Sequence, residues 1–411
     1  MRILIDSGEH EFAEKGRLAR IEVALRRLRE LWPDAEIGLL TDQLTQAGLF
    51  FPDVTPVPCS GQRGWPDGVN AGLLKADAPK HGLDGTSLDV APSLRGSFDR
   101  SPQSAPRGVA DADLVVCAGG TDLTDFSPED VARTLSILEV AQRVGARTAM
   151  FAQSFGPFER PDLVARAAEI LPKVDLITVR EDIRSPRVLG LLGVQASRMS
   201  ITGDDALGLV SADPTGAAGV DLGINLRIDD YQQLESVKAG VLSTSVRQIA
   251  GDMVAHLSPI YSSERSDEDR LGTLKLVGDY PLVRTDYSRF ATPREVADRV
   301  AQCRVVVTGS YEVAVLALSQ GVAAVCLPRS DYNLNGFDGL KVQFPLGCRI
   351  IPLSTPRLGD ALVHEISSMW AQSLNIRKDL IETTARLTAM GEAACRRLHA
   401  NTEGTRESEA A

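Results

Sequence analysis

Short apolar runs alternating with helical periodicity constrain this chain more than any other feature. Residues 2–5 form an apolar run suited to a buried strand. Over 16–31, Leu18, Ile21, Leu25 and Leu28 recur at three- and four-residue spacing, with Arg17, Arg20, Arg27 and Glu30 mainly on other faces. That is the pattern of an amphipathic helix. Residues 37–40 supply the next strand, so the chain opens β–α–β. Further strands are expected at 114–118, 148–152 and 176–179, each followed by helical periodicity. Ser127 and Pro128, followed by Glu129 and Asp130, read as a helix start. A second series begins near Asp221, with strands expected at 222–226, 274–277, 304–308 and 322–327. Its helices are expected at 246–257, from Thr292-Pro293-Arg294-Glu295 (a capping box) through Cys303, and at 312–320 before Gly321. Strands alternating with helices imply parallel sheets covered on both faces. The chain therefore reads as α/β, with two Rossmann-like halves and a cleft between them.

At about 150 residues per domain, 411 residues allow two or three domains. The small-residue linker 211–219 divides a first domain, 1–210, from a second, 220–355. Residues 356–411 are expected to be helical to about His399 and then to end in a polar tail. Between 58 and 107 the segment is rich in Gly, Pro, Ser and Asp and the periodicity fails, so it reads as a mobile excursion, disordered or lid-like.

The 44 basic and 55 acidic residues leave a net charge of −11. That balance argues against a general nucleic-acid or anionic-membrane binder, which needs a broad basic surface. The six cysteines, Cys59, Cys117, Cys303, Cys326, Cys348 and Cys395, show no metal-ligand spacing and read as mostly buried free thiols. None of the five histidines pairs with a nearby Cys, Asp or Glu in such a spacing, and HExxH, P-loop and GxSxG motifs are absent. No metal or cofactor is expected. The opening turns acidic too soon for a signal peptide, and no apolar run reaches the roughly 18 residues of a membrane span. A cytoplasmic location is the expectation.

In parallel α/β sheets ligands bind beyond the carboxyl ends of the strands, which selects six segments. Gly119 and Gly120, with Asp122 just after, follow a strand and suit either a close anion or sugar contact or a tight turn. Gln153, at a strand end before a Gly-Pro turn, is a candidate ligand contact, with a loop shaped by Gly-Pro the slightly favoured reading. Arg180 and Glu181 close a strand, to orient a ligand or, as the favoured reading, to form an internal salt bridge. Asp204 is a candidate base, with capping the favoured role. Arg227 offers a planar fork for carboxylate or phosphate at the end of a strand. Gly309, Ser310, Tyr311 and Glu312 run from a strand into a helix whose N–H groups suit an anion. There Glu312 also complements the helix dipole.

Taken in order, the stretches VVCAGGTDLTDF, FAQSFGPF, VDLITVREDIRSPRVLGLLGV, ITGDDA, LGINLR and VVVTGSYEVAVLALSQGVAAVCLP resemble the polysaccharide pyruvyltransferase family. The resemblance spans roughly residues 112–340, with a looser match over ALRRLRELWPDAEIGLLTD. It implies a GT-B-like fold and transfer of a pyruvyl group from phosphoenolpyruvate, or a similar anionic donor, to hydroxyls of a sugar-containing or small-molecule acceptor. The product would be a ketal and phosphate, and the setting bacterial. Arg227 matches the family's donor-binding arginine. Two positions depart from the pattern: Glu312 stands where the family carries its histidine, the expected acid, and Glu14-Lys15-Gly16-Arg17 stands where it shows Asn-x-Gly-Asp. Arg17 would supply compensating positive charge. The alternatives are a diverged binding or partner protein on the same scaffold, or a nucleotide-sugar glycosyltransferase. A homo-oligomer is compatible with either.

Overall fold

The computed structural model describes residues 1–8, 12–59, 65, 106–119, 123–213, 216, 218–226, 236–263, 268–278, 280, 291–328 and 331–410. Seven strands form the first sheet: β1 (Arg2–Asp6), β2 (Glu36–Leu40), β3 (Thr55–Val57), β4 (Leu114–Cys117), β5 (Arg147–Gln153), β6 (Leu176–Val179) and β7 (Met199–Ile201). Their order is β3-β2-β1-β4-β5-β6-β7, and every neighbouring pair is parallel. Around them lie α1 (Lys15–Leu31), α2 (Leu44–Phe50), α3 (Pro128–Arg143), α4 (Pro161–Ile170) and α5 (Ser185–Leu191). The second sheet contains β8 (Asp221–Asn225), β9 (Leu257–Pro259), β10 (Cys303–Thr308), β11 (Ala323–Cys326) and β12 (Cys348–Ile350) in the parallel order β12-β11-β10-β8-β9. Its helices are α6 (Ser236–Asp252), α7 (Glu268–Val277), α8 (Pro293–Ala301), α9 (Tyr311–Ser319) and α10 (Asp331–Gln343), and the chain ends in α11 (Leu358–Ala410).

Strand cores read as continuous apolar runs because both faces are covered. Ile3, Leu4 and Ile5 of β1 and Val305, Val306 and Val307 of β10 are fully buried. The start of α8 forms the expected capping box, with Thr292 Oγ1 accepting from Glu295 N and Glu295 returning to Thr292 N. Gly321 takes a φ of 71°, the left-handed conformation that ends α9.

Several expectations are corrected. Residues 274–277 are the last turns of α7, not a strand; a four-residue apolar run does not distinguish the two by period. The helix expected over 246–257 stops at Asp252, and Leu257 opens edge strand β9 instead. Pro259 is tolerated there because an edge strand has one side without a ladder. The C-terminal helix does not stop near His399 but continues to Ala410. Most of segment 58–107 lies outside the described residues. Within it, Trp65 packs beneath β2 and β3 and its Nε1 donates to Gly108 O at 2.9 Å.

Helix α1 also differs from its reading. Arg20 and Arg27, read from their spacing as lying mainly off the apolar face, are 3% and 4% exposed. Arg20 pairs with Asp204, and Arg27 pairs with Asp205 at the start of a short 3-10 turn, Asp205–Gly208, that follows β7. This turn joins the second half: Ala206, Leu207 and Leu209 share a core cluster with Ala19 and Val23 of α1 and with β8 and β10.

No described helix is long and apolar enough to cross a membrane. Removing one partner of a buried ion pair strands the other charge, at a cost of about 3–5 kcal/mol. Arg27→Ala is therefore expected to lower the thermal midpoint sharply. The pair Arg27→Met with Asp205→Leu should recover most of that loss, as read by differential scanning calorimetry.

Candidate functional site

Both sheets reverse their strand order at one place: between β1 and β4 in the first, and between β8 and β10 in the second. Loops diverge at such switch points and leave a crevice beyond the strand ends. In the first half the crevice is bounded by Asp6, Ser7 and Gly8 after β1 and by Gly119 after β4. In the second it is bounded by Asn225 and by Gly309 and Ser310 after β10. The first turns of α1 lie against both. Arg17 Nη1 donates to Ser7 O at 3.0 Å, and Arg20 Nη1 donates to Gly119 O at 3.2 Å.

Arg20 is the central cation. Its Nε contacts both Asp204 oxygens at 3.0 Å, and Nη2 lies 2.9 Å from Oδ2. Burial opposes the charge on Arg20 and nearby Arg180 adds to that opposition. Asp204 outweighs both and holds the guanidinium above its ordinary value. Burial likewise opposes the charge on Asp204. Arg20, Arg180 and the Ala206 N–H overcome it and keep the carboxyl below the usual carboxylate range. Arg180 Nε donates to Ala152 O at 2.6 Å and stands 3.7 Å from Asp204 Oδ2. Ala152 adopts a φ of 48° at an irregularity in the β5–β6 ladder, a conformation that L side chains rarely hold. Its N–H donates to Thr178 Oγ1 at 2.7 Å.

The second half meets this cluster through the start of α9. Buried Asn225 anchors it: Oδ1 bonds Thr308 Oγ1 at 3.0 Å, and Thr308 Oγ1 accepts from Ser310 N at 2.9 Å. Ser310 is the N-cap, its Oγ accepting from Val313 N and donating to Glu312 Oε2 at 3.0 Å. Glu312 Oε1 lies 3.9 Å from Arg20 Nη2. The Tyr311 ring centroid is 5.9 Å from the Arg20 guanidinium carbon and 5.7 Å from that of Arg180, so one aromatic ring serves two cations. The loop after β9 ties α1 to this point: Lys15 N donates to Ser262 O at 2.9 Å, and Ser263 Oγ donates to Glu14 Oε1 at 2.7 Å. Gly16 completes the approach. A Cβ there would stand 2.0 Å from Glu312 Cγ, so only glycine fits.

Of the residues singled out from sequence, the structure gathers Arg17, Gly119, Arg180, Asp204, Gly309, Ser310, Tyr311 and Glu312 around this crevice. Gly120, Asp122 and Arg227 lie outside the described residues. Gln153 is turned into the sheet, where its amide donates to Cys117 O at 3.1 Å and Phe151 O at 2.9 Å. Arg180 and Glu181 diverge rather than pairing. Both Glu181 oxygens are taken by the N–H groups of Ile183, Arg184 and Ser185 and by the Ser185 hydroxyl. Asp204 does cap the 3-10 turn, accepting from Ala206 N at 2.9 Å, and is an ion-pair partner as well. Sequence reasoning missed Arg20, Ser262 and the Asp6–Arg133 pair at 2.9 Å that braces Gly8. Arg20 carried one legible signal, its place one turn after Arg17. Burial raises the thiols of Cys117 and Cys303, which withholds them as nucleophiles.

Two outcomes are expected. Gly16→Ala should cost about 1–3 kcal/mol by overpacking, read as a lower denaturation midpoint. The stability that Asp204 contributes is present above the unfolded-state value of about 3.9 and fades as pH falls through its lower folded-state value. The gap in thermal midpoint between wild type and Asp204→Asn should therefore be full at pH 7 and shrink below pH ~4.

Several solved structures share this architecture. A protein described as a UDP-N-acetylglucosamine 2-epimerase from Listeria monocytogenes superposes with a TM-score of 0.58 at 12% identity, over 99% of this chain and 97% of that one. The UDP-GlcNAc 2-epimerase from Neisseria meningitidis, bound to UDP-GlcNAc, gives 0.56 at 9% identity, over 97% and 99%. The calicheamicin glycosyltransferase gives 0.50 at 14%, over 98% and 97%. These likenesses identify the fold as GT-B, two α/β domains with parallel sheets. No curated protein matches the sequence. A family model described as polysaccharide pyruvyl transferase matches residues 20–331, most of the chain, including Arg20, Arg180, Asp204 and the start of α9. By that match the chain belongs to the polysaccharide pyruvyl transferase family, a family of transferases.

Proposed function

We propose that this protein transfers a pyruvyl or closely related group from phosphoenolpyruvate to hydroxyls of a sugar-containing or small-molecule acceptor. The observation that carries the reading is the convergence of Arg20 and Arg180 on the start of α9, with Arg17 nearby on α1, in a member of this family. Phosphoenolpyruvate carries a phosphate and a carboxylate, and such a cluster beside a helix N-terminus is suited to hold both. Arg227, one residue beyond Leu226, is assigned to the same donor. In the reaction the methylene carbon gains a proton and two acceptor oxygens bond to the central carbon. The carbon–oxygen bond to phosphate breaks; of the two hydroxyl protons, one balances the new methyl group and the other leaves with phosphate. Glu312 occupies the place of the acid. Residues 1–210 and 220–355 form the two domains of this reading, with 356–411 appended.

One observation favours a second reading, a binding protein that has lost the transfer. The Glu312 carboxylate lies 3.9 Å from Arg20 Nη2, so the site supplies its own anion where a donor's charge would be held. Thermal shift with phosphoenolpyruvate, phosphate and nucleotide sugars separates the readings. Under the transferase reading, phosphoenolpyruvate at 100 times its dissociation constant stabilises the protein by about 2.7 kcal/mol. Arg227→Ala is expected to remove that shift, and Glu312→His to raise phosphate release. Silence to phosphoenolpyruvate with no phosphate released selects the binding protein, and a shift with a nucleotide sugar alone selects glycosyl transfer.

A further inference from the structure

We infer that Ser262 and Ser310 form a reversible hydrogen-bond chain that lets Glu312 take up and hold a proton. The inference rests on the transferase reading above, where Glu312 stands in the place of the acid, and concerns how that carboxyl holds its proton. An ordinary glutamate is ionised at pH 7, and a cation nearby favours that form. An acid in this place therefore needs a local device that also accommodates the protonated form.

Ser262 lies in the loop after β9 and is 2% exposed. Its Oγ donates to Ser310 Oγ at 3.3 Å, a long link, and Ser310 Oγ donates to Glu312 Oε2 at 3.0 Å. Ser310 Oγ also accepts from Val313 N at 3.4 Å. A hydroxyl has one hydrogen and two lone pairs, so these three links use everything that the Ser310 side chain offers. An ionised carboxylate only accepts, which fixes the direction of the chain: Ser262 to Ser310, and Ser310 to Glu312.

Protonation reverses that direction. Glu312 Oε1 faces the Arg20 guanidinium, 3.9 Å from Nη2, where a hydroxyl hydrogen would meet another donor. The proton therefore belongs on Oε2, which then donates to Ser310 Oγ. Ser310 must turn its own hydrogen away, and among the described residues Ser262 Oγ is the acceptor in reach. Ser262 is thus a positioning residue that makes the protonated state available. Alanine at 262 would leave the Ser310 hydrogen without an acceptor in that state alone, which favours the ionised form. Removing the Ser310 hydroxyl acts in the opposite sense, since a hydrogen bond donated to the charged form is lost. The charged groups around Glu312 are Arg20, Glu14, Lys15 and Arg17 on α1, with Arg180 and Asp204 beside Arg20. Tyr261 and Tyr311 adjoin the two serines in sequence. None of these groups is altered by the serine variants.

Carbon-13 NMR of the full chain, labelled at the glutamate carboxyl carbons, reads the Glu312 titration directly. Its signal is assigned by its loss in Glu312→Gln. Ser262→Ala is expected to move the midpoint to lower pH, by about three- to tenfold in acid constant. Ser310→Ala is expected to move it to higher pH. Ser262→Thr keeps the hydroxyl and should titrate as wild type. An unmoved midpoint in Ser262→Ala overturns the chain, as do shifts of the same sign in the two alanine variants. An alanine-like shift in Ser262→Thr assigns the effect to loop shape and overturns it too. Opposite shifts in a protein that releases no phosphate from phosphoenolpyruvate support the chain while removing pyruvyl transfer. Phosphate release with unmoved midpoints does the reverse.

Discussion

Two ion pairs on one helix organise the molecule. Arg20 and Arg27 stand two turns apart on α1, and their partners Asp204 and Asp205 are adjacent in sequence, on the segment that carries the chain out of β7. Unpaired, each buried charge would cost several kcal/mol. Bringing the arginines inside therefore requires the aspartates to follow, and the aspartates carry the 3-10 turn with them. Ala206, Leu207 and Leu209 then enter the core of the second half. One electrostatic constraint thus sets the position of α1, of the crossing segment and of the second sheet's neighbour in a single arrangement.

The same constraint explains how an acidic protein gathers three arginines in one place. The chain as a whole carries a net charge of −11. At the switch points, Arg17, Arg20 and Arg180 are brought together by backbone carbonyls of Ser7, Gly119 and Ala152, which accept from them without neutralising their charge. Asp204 is the buried counter-charge, and Glu312 is a half-buried one reached from the other half. Local placement, and not overall composition, decides which charges meet here.

Much of this was legible in the sequence. Strand cores at β1, β4, β6 and β10 declared themselves because both faces are covered and the runs are apolar without interruption. The capping box at Thr292 and the glycine at Gly321 gave helix ends directly. What failed was information that lies between distant segments. Arg20 reads as one more polar position on an amphipathic helix; its burial depends on Asp204, 184 residues away. Glu181 and Arg180 are neighbours along the chain, yet each is claimed by a different part of the structure. The short run 274–277 fits either period, and only its packing with α6 and β9 makes it helical. Gly16 was visible as part of a departure from the family pattern, while the reason a side chain is forbidden there is Glu312, from the other half.

The C-terminal helix carries a mechanical consequence. It runs for 53 residues, about 80 Å at 1.5 Å per residue. Near its start Leu362, Ile366 and Met369 are packed into the second half's core; near its end Ala394, Cys395 and Leu398 are packed into the first, where the His399 ring lies tilted against Trp32 with centroids 4.8 Å apart. A continuous helix resists bending except at breaks in its hydrogen-bond ladder. It therefore acts as a splint across the two halves. Pulling them straight apart would tear out one of its anchorages, whereas a twist about its long axis disturbs the packing least.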